Sequence, residues 1–296
     1  MLNPPTGPGN SVRVAAFILL AALAGLTAGA SLVRQGDTVT IRGQVLYKGP
    51  KGLDPVPYTN IGVINENVGT TADSVGRFTL AVPPELRQRQ ITFSALGFEA
   101  RSIPVSHLRA EADKPILLLE KKTSLGEVVI TGGKKLGSKV LGKTSPGSGG
   151  AYVHGQGTGA EIARRINPGR FPVTIDQVSL YIHKNAQPSF QLRVRLYSVD
   201  EKTGLPGTDL LNENIFLHST APSGWVALDL TPYSIRTAQP FFVAFEWLTP
   251  DSGNPFISIQ GAGNQEVCQR SVSQGRWVRS RDFDWVINAQ VTYYSR

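Results

Sequence analysis

The sequence has few of the residues that build catalytic and metal centres. It has 296 residues but only one cysteine, Cys268. A lone cysteine cannot form an internal disulfide, so packing must supply the stability, and a buried thiol is expected to behave as a small hydrophobe. The four histidines lie far apart, without the short spacings of zinc ligands. They are His107, His154, His183 and His218. The sequence therefore predicts no metal site, no catalytic residues and no cofactor.

Long apolar runs are also scarce. The longest, VAAFILLAALAGL, has 13 residues, follows the acid-free stretch MLNPPTGPGNSVR and precedes the small residues TAGAS. This three-part layout is typical of a secretory signal, so residues 1–30 are predicted to be a signal peptide cleaved after Ala30. A membrane anchor is the alternative, but the run falls short of the roughly 20 residues that span a bilayer. We expect an exported protein of the periplasm or outer cell surface, with no transmembrane span after cleavage.

Positive charge is concentrated in one short segment. Lys and Arg number 30 against 22 Asp and Glu, and residues 121–150 alone hold six lysines and one glutamate. A nucleic-acid-binding protein is expected to carry such charge on a folded face, so no nucleic acid partner is predicted. Residues 132–150, GGKKLGSKVLGKTSPGSGG, are dense in Gly, Ser and Lys. They are predicted to be a flexible or loosely strand-forming connector.

Within that segment, GSKVLGKT matches the pattern of a phosphate-binding P-loop. A P-loop needs a buried strand directly before it and a helix that starts at its Lys-Thr. Here TGGKKL separates the pattern from the preceding apolar residues, and SPGSGG, a very poor helix start, follows Thr144. No nucleotide site is predicted.

The rest of the chain favours an all-β fold. Gly (31) and Pro (20) are frequent, and short runs of alternating apolar and polar residues recur between turn-forming clusters. Strands are predicted near residues 38–47, 58–64, 68–71, 77–82, 90–96 and 115–120. Eight or nine more strands in residues 151–296 suggest a C-terminal jelly-roll-like β-sandwich.

The first of these regions resembles a known family. IRGQVLY, YTNIGV, GTTADSVGRFTL, FSALGFE and LGEVVI resemble a carboxypeptidase regulatory-like domain of the kind common in Bacteroidetes surface proteins. The resemblance covers residues 38–131 and implies a transthyretin-like β-sandwich that accompanies other modules. GAEIARRI, GWVALDLTPYSI and FFVAFEWL resemble the second domain of similar two-domain Bacteroidetes proteins. Neither resemblance implies an activity, and HLRAE does not have the spacing of a zinc carboxypeptidase.

Two segments contain candidate ligands. Residues 269–285, QRSVSQGRWVRSRDFDW, interleave aromatic, Arg and Asp side chains, which can stack on sugars and hydrogen-bond to hydroxyls. The candidate ligand-binding residues are Trp277, Arg279, Asp282 and Phe283. The alternative is a hairpin with buried Trp277 and Trp285 and solvated charges. Residues 200–209, DEKTGLPGTD, hold enough oxygen ligands for calcium, but their glycines and proline favour an ordinary turn.

The sequence thus favours a non-catalytic exported accessory or binding protein of the cell envelope. The alternative is a carbohydrate- or glycan-recognition module, and a glycosidase-type enzyme ranks third because no acid–base pair stands out. Candidate partners are an envelope glycan or another envelope protein. A concave face lined with exposed tryptophan would favour glycan binding, and two carboxylates about 5–10 Å apart in a cleft would favour a glycosidase.

Overall fold

The computed structural model describes residues 37–110, 114–121, 133–147, 149–152, 158–185, 187–249, 256–260, 266–280 and 284–295. These residues are mainly β-strands, which confirms the predicted all-β class. Residues Asp37–Arg296 form one compact unit. Within it, the first β-sandwich and the second each have a hydrophobic core of their own. No helix in the described ranges is long and apolar enough to cross a membrane.

The described part of the first domain contains eight strands and two short helices. β1, β2, β5 and β8 form one sheet, in which β8 runs parallel to β1, and β3, β4, β6 and β7 form the other. The strands are β1 (Val39–Gly49), β2 (Gly52–Pro55), β3 (Asn60–Gly62), β4 (Gly69–Thr71), β5 (Arg77–Val82), β6 (Gln90–Ser94), β7 (Arg101–Pro104) and β8 (Ile116–Leu118). The helices are a 3-10 turn (Pro84–Leu86) and α1 (Val105–Ala110).

The turn before β5 shows how the local sequence fixes this domain. Asp73 Oδ1 accepts hydrogen bonds from the backbone N–H groups of Val75 and Arg77, at 2.9 and 2.8 Å. Gly76 adopts a φ of 75°, and a Cβ there would lie 2.5 Å from the carbonyl oxygen of Val45. Only glycine fits such a position without strain. After the turn, alternate residues of β5, starting at Phe78, enter the core.

The described part of the second domain adds fifteen strands. They are β9 (Lys135–Gly142), β10 (Gly149–Tyr152), β11 (Glu161–Ile166), β12 (Val173–Lys184), β13 (Phe190–Val199), β14 (Pro206–Asp209), β15 (Ile215–Ser219), β16 (Gly224–Asp229), β17 (Arg236–Thr237), β18 (Phe241–Trp247), β19 (Phe256–Gln260), β20 (Val267–Arg270), β21 (Val278–Arg279), β22 (Asp284–Trp285) and β23 (Ile287–Tyr294). A 3-10 helix (Thr231–Tyr233) precedes β17.

Two antiparallel sheets form this second sandwich. The eight-stranded sheet has the order β10-β19-β12-β23-β9, with β16 and β17 also paired to β12 and β22 paired to β19. The seven-stranded sheet has the order β14-β13-β18-β11-β20-β21, with β15 also paired to β13. Alternate residues of both sheets fill one core, such as Val178 and Leu180 of β12 and Val194 and Leu196 of β13. Because side chains alternate along a strand, the intervening residues lie on the outer faces.

Part of the predicted connector belongs to the second sandwich. Residues Lys135–Gly142 form β9, an exposed edge strand paired along its length with β23. Gly and Lys have low strand propensity, but backbone pairing with a long neighbouring strand overrides it here. The P-loop pattern therefore lies on a strand rather than before a helix. Its Lys143 pairs with the buried carboxylate of Asp284, at 3.1 Å. The predicted signal peptide, residues 1–30, lies outside the described residues.

Candidate functional site

The outer face of the seven-stranded sheet holds an unusual set of buried charges. Arg193 and Arg195 alternate along β13 with core residues, and Glu161, Glu246 and Arg270 lie on neighbouring strands. Both glutamates have no exposed surface, and the side chains of the three arginines are 2–11% exposed. We call these five residues together with Asp209 the buried ion network.

Glu246 is the centre of one half of the network. Its Oε2 accepts hydrogen bonds from Nε of Arg193 at 2.7 Å and from Nε of Arg195 at 3.0 Å. Arg195 also donates from Nη1 to Oδ2 of Asp209, at 2.6 Å. Charge-assisted pairs of this geometry are among the stronger hydrogen bonds in proteins. Two arginines and two acids therefore pair with one another on this side.

Glu161 is the centre of the other half. Arg270 donates from Nε to its Oε2 at 2.6 Å, and the hydroxyl of Tyr197 donates to its Oε1 at 2.8 Å. The guanidinium of Arg270 also lies over the ring of Trp277, 4.8 Å from its centroid. Nε of Arg195 lies 3.7 Å from Oε1 of Glu161, which links the two halves.

The first domain closes this face through the network itself. Arg193 donates from Nη1 to the carbonyl oxygen of Tyr58 at 2.6 Å and from Nη2 to Oδ1 of Asn60 at 2.5 Å. The hydroxyl of Thr71 donates to Oε1 of Glu246 at 3.0 Å. These three contacts join residues more than a hundred positions apart in the sequence. The buried ion network thus connects the two sandwiches, and we call this contact between them the joint.

A second set of contacts flanks this joint. Gln274 donates to the hydroxyl of Ser94 at 2.7 Å, and its carbonyl oxygen accepts the backbone N–H of Asn65 at 3.0 Å. The hydroxyl of Thr158 bonds to both the N–H and the carbonyl of Thr71. Turns of the first domain therefore dock on the segments next to β11 and β20.

The charges shift one another's ionisation. Burial alone would raise the pKa of Glu246, but the positive charges of Arg193, Arg195 and Arg270 outweigh it and lower the pKa to about 2. For Glu161, burial is only partly offset by Arg270, so its pKa is raised. The two carboxylates thus differ in proton affinity, as acid–base pairs in enzymes often do.

The pair nevertheless lacks access for a substrate. Glu161 and Glu246 are direct cross-strand partners on β11 and β18, but neither has any exposed surface. Their carboxylate oxygens are occupied by Arg193, Arg270 and other internal donors. A general acid must come within hydrogen-bond reach of its substrate. In this arrangement Glu246 contacts the first domain by accepting a hydrogen bond from Thr71, and Glu161 pairs with Arg270 within the sheet.

Two of the four predicted ligand-binding residues, Trp277 and Arg279, lie at the rim of this face. The ring of Trp277 is half-buried and packs edge-on against Tyr197, with centroids 5.9 Å apart. Arg279 donates to the carbonyl oxygens of Thr203 and Gly204, at 3.0 and 2.9 Å. Asp282 and Phe283 lie outside the described residues. Both placed side chains make contacts within the protein, and ligand binding by the four residues stays a prediction.

In the 200–209 segment, an ordinary turn leads into β14. Asp200 accepts hydrogen bonds from the N–H and hydroxyl of Thr203, whereas Asp209 pairs with Arg195. Its acids therefore serve separate partners. Among the described residues, no group of three or more His, Cys, Asp or Glu could hold a metal ion. Cys268 is buried, and burial raises the pKa of its thiol to about 11.

The tryptophans differ sharply in exposure. Trp247 and Trp285 are core residues, at 3% and 0%, whereas Trp225 is 38% exposed on the opposite sheet. Trp225 is not among the predicted ligand-binding residues, because GWVALDL shows only ordinary strand alternation. The buried ion network was not predicted either, since the alternating arginines of QLRVRLY look like a solvated strand face. The signal that could have found the network is the glutamate within the apolar run FFVAFEW.

Comparison with known proteins supports the family resemblance of the first domain. Residues 41–130 match the family model of the CarboxypepD_reg-like domain. This domain is followed by a second β domain, which that model does not cover. A search of curated proteins finds no match. One solved structure that is similar contains the cysteine protease and lectin-like domains of a surface layer associated protein of Clostridium difficile, at 11% identity and a TM-score of 0.37. The match covers 79% of this chain and 50% of that chain.

Proposed function

We propose that this chain is a non-catalytic accessory or binding protein of the cell envelope. The supporting observation is that the carboxylates of Glu161 and Glu246, whose pKa values differ, are buried in the ion network beneath the first domain. Glu161 and Glu246 have no exposed surface, and arginines neutralise both. Such a cluster serves as a joint that holds two sandwiches in one orientation. Export through residues 1–30 and cleavage after Ala30 are part of the proposal, on the evidence of the signal-like sequence.

Glycan recognition is the second candidate, and Trp225 favours it. Its indole is an exposed aromatic surface on the sheet opposite the domain joint. Large aromatic side chains left in contact with water on one face often mark a binding surface.

The experiment that tests the proposal measures binding and hydrolysis together. Residues 31–296 are incubated with polysaccharide and protein fractions of a bacterial envelope, and retention and newly formed reducing ends are recorded. We expect retention on an envelope fraction without release of reducing ends above the blank. Release of sugars that disappears in Glu161→Gln, at an unchanged melting temperature, would show an enzyme and overturn the proposal.

A further inference from the structure

Part of the outer face of the eight-stranded sheet is built from four adjacent strands, β16, β12, β23 and β9, and from the short β17, which also pairs with β12. Cross-strand partners form regular rows across it. The rows are Trp225–Tyr181, Ala227–Ser179–Asn288–Gly142, Asp229–Gln177–Gln290–Val140 and Arg236–Thr174–Thr292–Ser138. We call this face the platform. With strands about 4.8 Å apart, its four strands extend over roughly 14 Å.

One end of the platform is aromatic. The rings of Tyr181 and Trp225 meet edge-to-face, with centroids 5.3 Å apart. Trp225 is 38% exposed, and Ala227, the next outward residue of β16, is exposed and small. Tyr181 thus holds the indole in place while leaving part of its surface open to a flat ligand.

The middle of the platform consists of uncharged hydrogen-bonding groups. Gln177 donates to the hydroxyl of Ser179 at 3.2 Å, and Asn288 donates to the carbonyl oxygen of Lys143 at 2.9 Å. Gln290 is the cross-strand partner of Gln177 on one side and of the exposed Val140 on the other, and it is itself exposed. Side-chain amides both donate and accept, which matches hydroxyl groups that do the same.

The few charges on the platform already have partners within the protein. Asp176 accepts a hydrogen bond from the hydroxyl of Thr292 at 2.6 Å. Asp229 accepts from the N–H and hydroxyl of Thr231, and the guanidinium of Arg236 lies 4.4 Å from the ring centroid of Tyr294. Outside these pairs, exposed Lys135 of β9, the cross-strand partner of Tyr294, adds one positive charge at the end of the platform away from Trp225. The rows of the platform therefore offer no concentration of either charge to an ionic ligand.

We propose that the platform binds a neutral polysaccharide, with one sugar ring on Trp225 and its neighbours along Gln177 and Gln290. This deepens the proposed binding function and rests on it. Ser179, Asn288 and Thr292 are buried and support these two amides from within the sheet. The apolar C–H face of a pyranose fits an exposed indole, and its hydroxyls fit the amides of Gln177 and Gln290. An acidic polymer would instead call for a cluster of Lys and Arg, which attracts phosphates or carboxylates.

Affinity electrophoresis of residues 31–296 tests the proposal. Native gels contain a soluble glucan, mannan or galactan as neutral probes, or alginate or polygalacturonate as acidic ones. The variants are Trp225→Ala and Gln290→Ala, and Leu53→Ala, which removes a 53% exposed side chain from β2 of the first domain, is the matched control. Melting temperatures and reducing ends are measured on the same samples.

We expect a neutral polysaccharide to retard the wild type, and Trp225→Ala to weaken that binding roughly tenfold or more, as central aromatic contacts do. Gln290→Ala should weaken it less, and Leu53→Ala not at all, with melting temperatures unchanged in all three. If a neutral probe retards both Trp225→Ala and Gln290→Ala as strongly as the wild type, the platform is not the binding surface. The proposed binding function would still stand. Retardation by acidic probes alone, or by none, would refute the ligand class. Release of reducing ends would instead refute the proposed non-catalytic function.

Discussion

Replacing Arg193 by methionine should uncouple the two domains. The guanidinium of Arg193 bonds to Glu246 within the sheet and to Tyr58 and Asn60 of the first domain. It also donates to Oδ1 of Asn214 at 3.1 Å. Methionine preserves much of the aliphatic stem but removes every donor. Arg193→Met therefore leaves buried acceptors on both sides of the joint without their partner.

The expected loss can be estimated from these contacts. Breaking a buried, hydrogen-bonded ion pair by removing one partner costs about 3–5 kcal/mol. Glu246 keeps the hydrogen bonds from Arg195 and Thr71, which limits the loss on its side. The carbonyl of Tyr58 and the amide of Asn60 lose a charged donor. We expect the free energy of unfolding to fall by about 3–4 kcal/mol, near the lower end of that range.

Urea unfolding, followed by tryptophan fluorescence and circular dichroism, measures this change. The wild type should unfold in one transition, and Arg193→Met should show an earlier transition for the first domain. Arg276→Met is the control, because Arg276 is an exposed arginine of the same chain. Surface changes of that kind stay within about 0.5 kcal/mol. A loss in Arg193→Met no larger than in the control would refute the joint.

Three further predictions concern single residues. Glu246→Gln should weaken the dependence of the unfolding free energy on pH below about pH 5. The folded pKa of Glu246, about 2, lies below the ordinary 4.5. Ionised Glu246 therefore stabilises the fold fully above about pH 5 and loses this effect as pH falls towards 2. Urea midpoints at several pH values test this, and an unchanged slope contradicts it. Lys143→Ala should lower the free energy of unfolding by about 1–3 kcal/mol, because it removes the ion pair between Lys143 and the buried carboxylate of Asp284. Thermal unfolding measures this, and micromolar ATP binding that the variant loses would contradict the strand interpretation. Trp277→Ala should cost about 2 kcal/mol, less than a full core deletion, because its ring is half-buried against Tyr197. Unchanged melting with lost polysaccharide retention would instead support a ligand site there.

The fold class could be predicted because it is encoded locally. Alternation through Phe78, Leu80 and Val82 places one face of β5 in the core, and the Asp73–Gly76 turn sets the hairpin. Long strands of the second domain, such as β12 and β13, likewise place alternate residues in a core. These signals lie within a few residues of each other, so a single sequence reveals them.

The joint and the platform could not be predicted in the same way. Arg193 and Arg195 have the same alternation whether water or another domain covers them, and only the fold decides between the two. β9 was missed as part of the sheet because its pairing energy comes from β23, roughly 150 residues later. The rows of the platform likewise combine strands from distant parts of the chain, so the sequence showed Trp225 but not its neighbours.

The contact between Thr71 and Glu246 tests the central claim most directly. It joins buried side chains of the two domains across 3.0 Å and 175 residues of sequence. A double-mutant cycle of Thr71→Val and Glu246→Met, measured by urea unfolding, isolates their coupling from the separate effects of each change, because methionine has no oxygen to accept the hydrogen bond of Thr71. If the first domain docks on the buried ion network, the two side chains should stabilise each other by about 1–2 kcal/mol. A coupling energy indistinguishable from zero, with both single variants folded, would contradict the joint.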